Sequence, residues 1–211
     1  MCRLLCVKSE VAFSISDHLR KFAEMAKASP EYQGHGWGCA YIKDGVWELY
    51  HNLKPIWEDD LDQFPESNLL LAHARSAFMN KDILVENNMP FYDGKYVFIF
   101  NGELHGVRIS EAGRIGAEKL FNFIKRFDHG DIGEALGKGM DRLQKRAKYI
   151  KAANIIIASR EQVNWVSLFN ENPDYFTMHR KDNSDLKVIS SAPYANDNNW
   201  EKLTKGSIGE L

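Results

Sequence analysis

The period of apolar and polar positions changes several times along the chain, and each change marks an element. Residues 2–8 read as a strand with Cys2, Leu4 and Cys6 on one face and Arg3, Leu5 and Val7 on the other. The period then lengthens. Leu19, Phe22, Ala23 and Ala26 make one stripe of a helix, with Ser16 as its cap and Pro30 beyond its end. A glycine-dense loop over 34–38 leads into a hairpin, 39–43 and 46–51, joined by Asp44-Gly45. Residues 68–75 form a buried strand. A second Asp-Gly turn, Asp93-Gly94, precedes the apolar run 96–100, which is expected to stop at Asn101-Gly102. Two helices follow, over 116–127 and 132–149, the first with Leu120, Phe121, Ile124 and Phe127 on one side. The chain then returns to strands over 153–159, 164–169, 175–180 and 186–191.

The order is strands, two central helices, strands. Several strands are apolar on both faces, which predicts an α+β fold with sheets as inner layers. Composition is even, without a linker or repeat, so one domain over residues 1–211 is expected. A net charge of −2 leaves no cationic surplus for phosphate backbones, and nucleic-acid binding is not expected. No stretch approaches the ~18 apolar residues of a membrane span, and the N-terminal segment lacks the continuous apolar core of a signal peptide. The three cysteines, Cys2, Cys6 and Cys39, are odd in number and lack CxxC spacing. That pattern disfavours a disulfide framework or a structural zinc site and points to the cytoplasm. His35, His73 and His105 show neither HxxxH nor HExxH spacing, so no metal is expected, and no cofactor.

Four places can carry chemistry. Cys2 follows the initiator Met directly. By itself it reads as a small buried strand residue. Removal of Met1 would put its thiol beside a free α-amine, whose ordinary pKa of about 7.7–8.0 suits a base near neutrality. Arg75 ends an apolar strand. It reads either as one half of an internal salt bridge or as a bidentate grip on a substrate carboxylate. Asn101-Gly102 closes the run 96–100 and reads either as a turn or as two donors of an oxyanion hole. Gly36-Trp37-Gly38 reads as a plain loop with a core tryptophan, or as backbone that lets a ligand approach.

These pieces occur in order along nearly the whole chain: MCR at the start, GWG, an HxR strand, MPF, FNGEL, a helix with AEKLF, the late segment 188–193, and a closing stretch from Trp200 to the end. Together they resemble the class II glutamine amidotransferases, a family of N-terminal-nucleophile hydrolases, and among these the stand-alone members without a fused synthase. The resemblance implies a four-layer αββα sandwich of two antiparallel sheets. It implies Cys2 as nucleophile with its α-amine as base. Asn101 and Gly102 would form the oxyanion hole, and Arg75 would hold the substrate α-carboxylate. Ser76, Gly36, Trp37 and Gly38 would line the substrate site. The substrate implied is glutamine or a γ-glutamyl amide, and the ammonia released would pass to a separate synthase subunit or to solution.

The sequence departs from the family pattern at three positions. Phe100 precedes Asn101-Gly102 where the family commonly has His. Ser76, Ala77 and Phe78 follow the arginine where a small hydroxyl residue is usual. Gly116 aligns with an Asp that holds the α-ammonium of glutamine, with Glu111 and Glu118 as possible replacements. The alternative reading is therefore a binding or regulatory descendant of the same fold, altered in catalysis.

Overall fold

The period-2 alternation at the N-terminus sets the architecture. In the computed structural model, which describes residues 1–183 and 185–211, strand β1 (Arg3–Ser14) sends Leu4 and Cys6 into one core and Leu5 and Val7 into another. Strand β4 (Glu66–Ala74) does the same with Leu69 and Leu71 against Leu70 and Ala72. The two pair antiparallel, Leu4 opposite His73 and Cys6 opposite Leu71. Helix α1 (Ile15–Lys27) follows β1 without a loop. It lays Leu19, Phe22, Ala23 and Ala26 on the outer face. Strands β2 (Trp37–Lys43) and β3 (Val46–Asn52) form the expected hairpin beside β4.

The second sheet is built around β6 (Val97–His105), with β5 (Phe91–Tyr92) on one side and β7 (Tyr149–Ala158) on the other. Strand β8 (Val163–Ser167) continues it. Helices α2 (Gly116–Lys125) and α3 (Ile132–Arg146) cover its outer face, where Phe121 of α2 stacks on Phe98 of β6 with ring centroids 4.9 Å apart. After the short helix α4 (Pro173–Phe176), strands β9 (His179–Asp182) and β10 (Leu186–Ser190) return to the first sheet, joined by β11 (Glu201–Lys202). Strand β12 (Ser207–Glu210) closes the second. The sheet orders are β11-β9-β10-β1-β4-β2-β3 and β12-β8-β7-β6-β5, and the pairings within both are antiparallel. This is the α+β, four-layer αββα sandwich that the resemblance implied.

Three local expectations are corrected. The cap of α1 is Ser14, whose hydroxyl accepts from the Asp17 amide at 3.2 Å. Ser16 lies inside the helix, buried, and donates to the Phe64 carbonyl at 3.1 Å. Residues 175–180 do not form one strand, because Pro173 fixes φ for a first helical turn and the strand starts only at His179. The run 96–100 does not stop at Asn101-Gly102. The strand continues to His105, with Asn101 opposite Asn154 and Gly102 opposite Ala153. Among the described residues, no helix is long and apolar enough to cross a membrane.

Candidate active site

The inner faces of the two sheets meet at one end of the sandwich, where the first residues of β1 approach the middle of β6. The Cys2 amide nitrogen donates to Asn101 Oδ1 at 2.8 Å. Asn101 is buried at 1% exposure, and its Nδ2 has no hydrogen-bond partner. A buried donor left unpaired costs about 1–3 kcal/mol, so the amide is poised for an acceptor. Gly102 follows on the strand. A side chain there would run into the Ala152 carbonyl oxygen, so the close approach of β6 to β7 requires glycine. The Cys2 thiol donates to the Ser76 carbonyl at 3.7 Å. Burial pushes the thiol pKa up, against the lowering effects of the N-terminal ammonium, the Ser76 contact and Arg75. With Met1 attached, the thiol is therefore protonated at neutral pH.

Arg75 lies just past β4, 6% exposed. Its guanidinium donates to the Asp82 carbonyl at 2.8 Å, to Asn88 Oδ1 at 3.3 Å and to the Leu84 carbonyl at 3.5 Å. These acceptors are neutral, and among the described residues Arg75 forms no ion pair. The internal salt bridge considered for it is absent. The Asp82 charge acts on the guanidinium only from beyond ion-pair distance, and a buried charge so weakly countered favours an incoming anion.

Cys2, Arg75, Ser76, Asn101 and Gly102 line one cleft of about 930 Å3. The remaining three candidates lie outside it. Gly36 adopts φ +105° and accepts the Arg75 amide at 2.9 Å, which supports the arginine from behind. Trp37 is fully buried in the outer core under α1, its indole donating to Asp59 at 2.9 Å. Gly38 lies within β2, where a side chain would strike His51 and the backbone of Tyr50 and Met89. Glu111 and Glu118 are committed to Arg126 and Arg114. Gly116 opens on the cleft, and a methyl group added there meets nothing within 4 Å.

Sequence reasoning missed the seat of Met1. Its carbonyl accepts from Tyr175 Oη at 2.6 Å and from Gln33 Nε2 at 2.7 Å, and its ammonium pairs with Glu31. Arg3 fixes the tyrosine, with its guanidinium 4.0 Å from the ring centre. Neither Gln33 nor Tyr175 sits in a motif that would mark it. Also missed were the apolar wall at Leu104, Val107, Ile109 and Ile115, and the exposed segment 78–85 with left-handed backbone at Met79, Asn80 and Asp82.

Solved structures share this arrangement of layers. A glutamine aminotransferase class-II domain protein from Silicibacter pomeroyi superposes with a TM-score of 0.65 over 98% of this chain and 93% of its own, at 14% identity. The chain has the class II glutamine amidotransferase fold. A predicted glutamine amidotransferase from Pseudomonas aeruginosa shares that fold at TM-score 0.60, with 16% identity over 99% of this chain and 96% of its own. The glutamine phosphoribosylpyrophosphate amidotransferase of B. subtilis, complexed with ADP and GMP, matches at TM-score 0.62 and 13% identity. That match covers 90% of this chain and 42% of the larger protein. At these identities the amidotransferase likeness is one of fold. No protein-family profile matches the chain, and no curated protein does.

Proposed function

We propose that the whole chain, 1–211, is one amidotransferase-type domain that hydrolyses a glutamine or γ-glutamyl amide through a Cys2 thioester. The observation that carries this reading is the contact of the Cys2 nitrogen with Asn101 Oδ1, beside an Asn101 Nδ2 that has no partner. Once Met1 is removed, that nitrogen is a free amine. It takes the thiol proton, and the thiolate attacks the amide carbon. Asn101 Oδ1 accepts from the resulting ammonium and orients it. Asn101 Nδ2 and the Gly102 N–H meet the developing oxyanion, each donor of this kind being worth about 10²–10³ in rate. As the carbon–nitrogen bond breaks, the α-ammonium gives its proton to the leaving amine. Water, deprotonated by the same amine, then opens the thioester and frees a γ-carboxylate. Arg75 holds the substrate α-carboxylate. The ammonia or amine passes to a separate synthase subunit or to solution. The three thiols are free, which suits a reducing cytoplasm.

The test is an intact mass that establishes loss of Met1, followed by a glutaminase assay on wild type and Cys2→Ala. The expected result is turnover by wild type and none by the variant. Equal turnover by both would remove Cys2 from the mechanism. The regulatory alternative is favoured by Gly116, which offers no carboxylate to the cleft; it predicts a folded, ligand-binding protein whose processed Cys2 reacts no faster with an alkylating agent than a buried thiol.

A further inference from the structure

The cleft at Cys2 is far larger than a glutamine side chain needs, and its charges do not balance. Its cationic side chains are Arg75, Lys81, Arg108, Arg114 and Lys119. Its carboxylates are Asp82 and Glu103. Glu103 is already committed, 3.0 Å from His105 and 3.6 Å from Lys151. Arg114 is likewise held by Glu118. Among the described residues, Arg75, Lys81, Arg108 and Lys119 form no ion pair. Four cations outside any ion pair therefore line the cleft with one carboxylate outside any ion pair, that of exposed Asp82, whose charge already acts on Arg75. Gly116 adds a helix N-terminus without a side chain, and the Ile115 cap offers no side-chain acceptor to it.

A free amino acid brings an ammonium as well as a carboxylate. The carboxylate suits Arg75, but the ammonium would enter a cleft with a cationic excess, and like-charge approach in a partly buried site is costly. Acylation of that nitrogen removes the charge and adds an arm. Leu104, Val107, Ile109 and Ile115 supply an apolar wall for the arm. Half-buried Lys119, with exposed Arg108 nearby on the same cleft, is left for a second anion.

We infer that the physiological substrate is a γ-glutamyl amide whose α-nitrogen is acylated and whose acyl arm carries a second anionic group. This rests on the hydrolase reading above, and the experiment separates the two. Initial rates are compared for glutamine, N-α-acetylglutamine and N-α-succinylglutamine on the processed protein. Binding of the same three to Cys2→Ala is measured by calorimetry. The expected order is succinyl above acetyl above free glutamine, both in kcat/KM and in affinity. The succinyl advantage over acetyl should be roughly three- to tenfold, the size of one partly screened ion pair. Lys119→Gln should remove most of that advantage, lowering the succinyl compound more than the acetyl compound, and high salt should shrink it.

If free glutamine is preferred and Asp82→Asn removes the preference, the inference is overturned, because Asp82 then holds an ammonium. If succinyl and acetyl compounds behave alike, the second anion is overturned. If all three bind Cys2→Ala in the expected order but wild type turns none over, the substrate class stands and the hydrolase reading fails.

Discussion

The Cys2 nitrogen and the Asn101 side-chain oxygen are 2.8 Å apart, although 99 residues separate them along the chain. The contact ties the first strand of one sheet to the middle of the other. It also fixes the asparagine amide so that its oxygen is used and its nitrogen is free. Asn101→Ala is expected to lower kcat by about 10²–10³ with a smaller change in KM, because the donor matters most in the transition state. Asn101→Asp keeps the acceptor but puts negative charge beside the proposed oxyanion, and should be at least as damaging. Steady-state kinetics on both variants checks this; a pure KM effect would make Asn101 a ground-state binding residue.

Cys6 and Cys39 are fully buried. Desolvation pushes the Cys6 thiol up to about 12 and the Cys39 thiol well above its ordinary value. Alkylation of the processed native protein at neutral pH should therefore modify Cys2 alone, and denaturant should expose the other two. The Met1-retaining chain should react slowly even at Cys2, whose thiol burial also pushes up. Peptide mass mapping reads the outcome. Rapid labelling of Cys6 in the native state would contradict the burial described here.

Gly102→Ala is a test of backbone spacing. The added methyl runs into the Ala152 carbonyl. Overpacking of this kind costs roughly 1–3 kcal/mol, and in a chain of this size each kcal/mol moves Tm by about 2–4 °C. Loss of both Tm and activity is expected. Unchanged Tm would show that β6 and β7 can separate at this point without cost.

Two buried histidines make the fold sensitive to acid. Burial lowers the His18 pKa to about 4, helped by Lys21 and opposed by Asp17, and lowers the His73 pKa to about 3, helped by Arg75 and His51. Unfolded, each titrates near 6.5. The unfolded chain thus binds protons that the folded chain refuses. Stability is full above pH 6.5 and falls as pH drops toward 4 and then 3, by up to about 1.4 kcal/mol per pH unit for each histidine. Urea midpoints from pH 7.5 to 5 should decline in wild type and less steeply in His18→Gln. A flat wild-type curve across that window would rule the mechanism out.

Legibility in the sequence followed the kind of partner each residue has. The two-faced strands were plain, because Leu4 and Leu5 enter different cores and both must be apolar. Asn101-Gly102 was misread as a strand end. The apolar signal stops there because the side chains after Phe100 turn polar, yet the ladder continues through Glu103 and His105, whose side chains meet at 3.0 Å on the wall of the cleft. Tyr175 and Phe176 carry strand-type side chains, but the preceding proline committed them to a helical turn. For the cap of α1 the sequence pointed to Ser16, but the hydroxyl of Ser16 is taken by the Phe64 carbonyl, far along the chain, and Ser14 caps the helix instead. The surroundings of Arg75 were invisible for another reason. Two of its three acceptors are main-chain carbonyls, which any residue could have supplied.

The seat of Met1 has a consequence for the order of events during synthesis. The residue whose removal the proposed mechanism requires is held by Tyr175, 174 positions later, and its side chain packs against the cluster of Ala152, Phe169, Tyr175 and Phe176. β10, which flanks β1, is later still. A ribosome adding ~5–20 residues per second leaves roughly 10–35 s before Tyr175 exists to close over the N-terminus. An aminopeptidase acting in that interval would meet an open end; afterwards it would meet an ammonium paired with Glu31 and a carbonyl held by two donors. If Cys2 is the nucleophile proposed above, the long-range connectivity of the sandwich would work as a timer, keeping it reachable until nearly the whole chain has emerged.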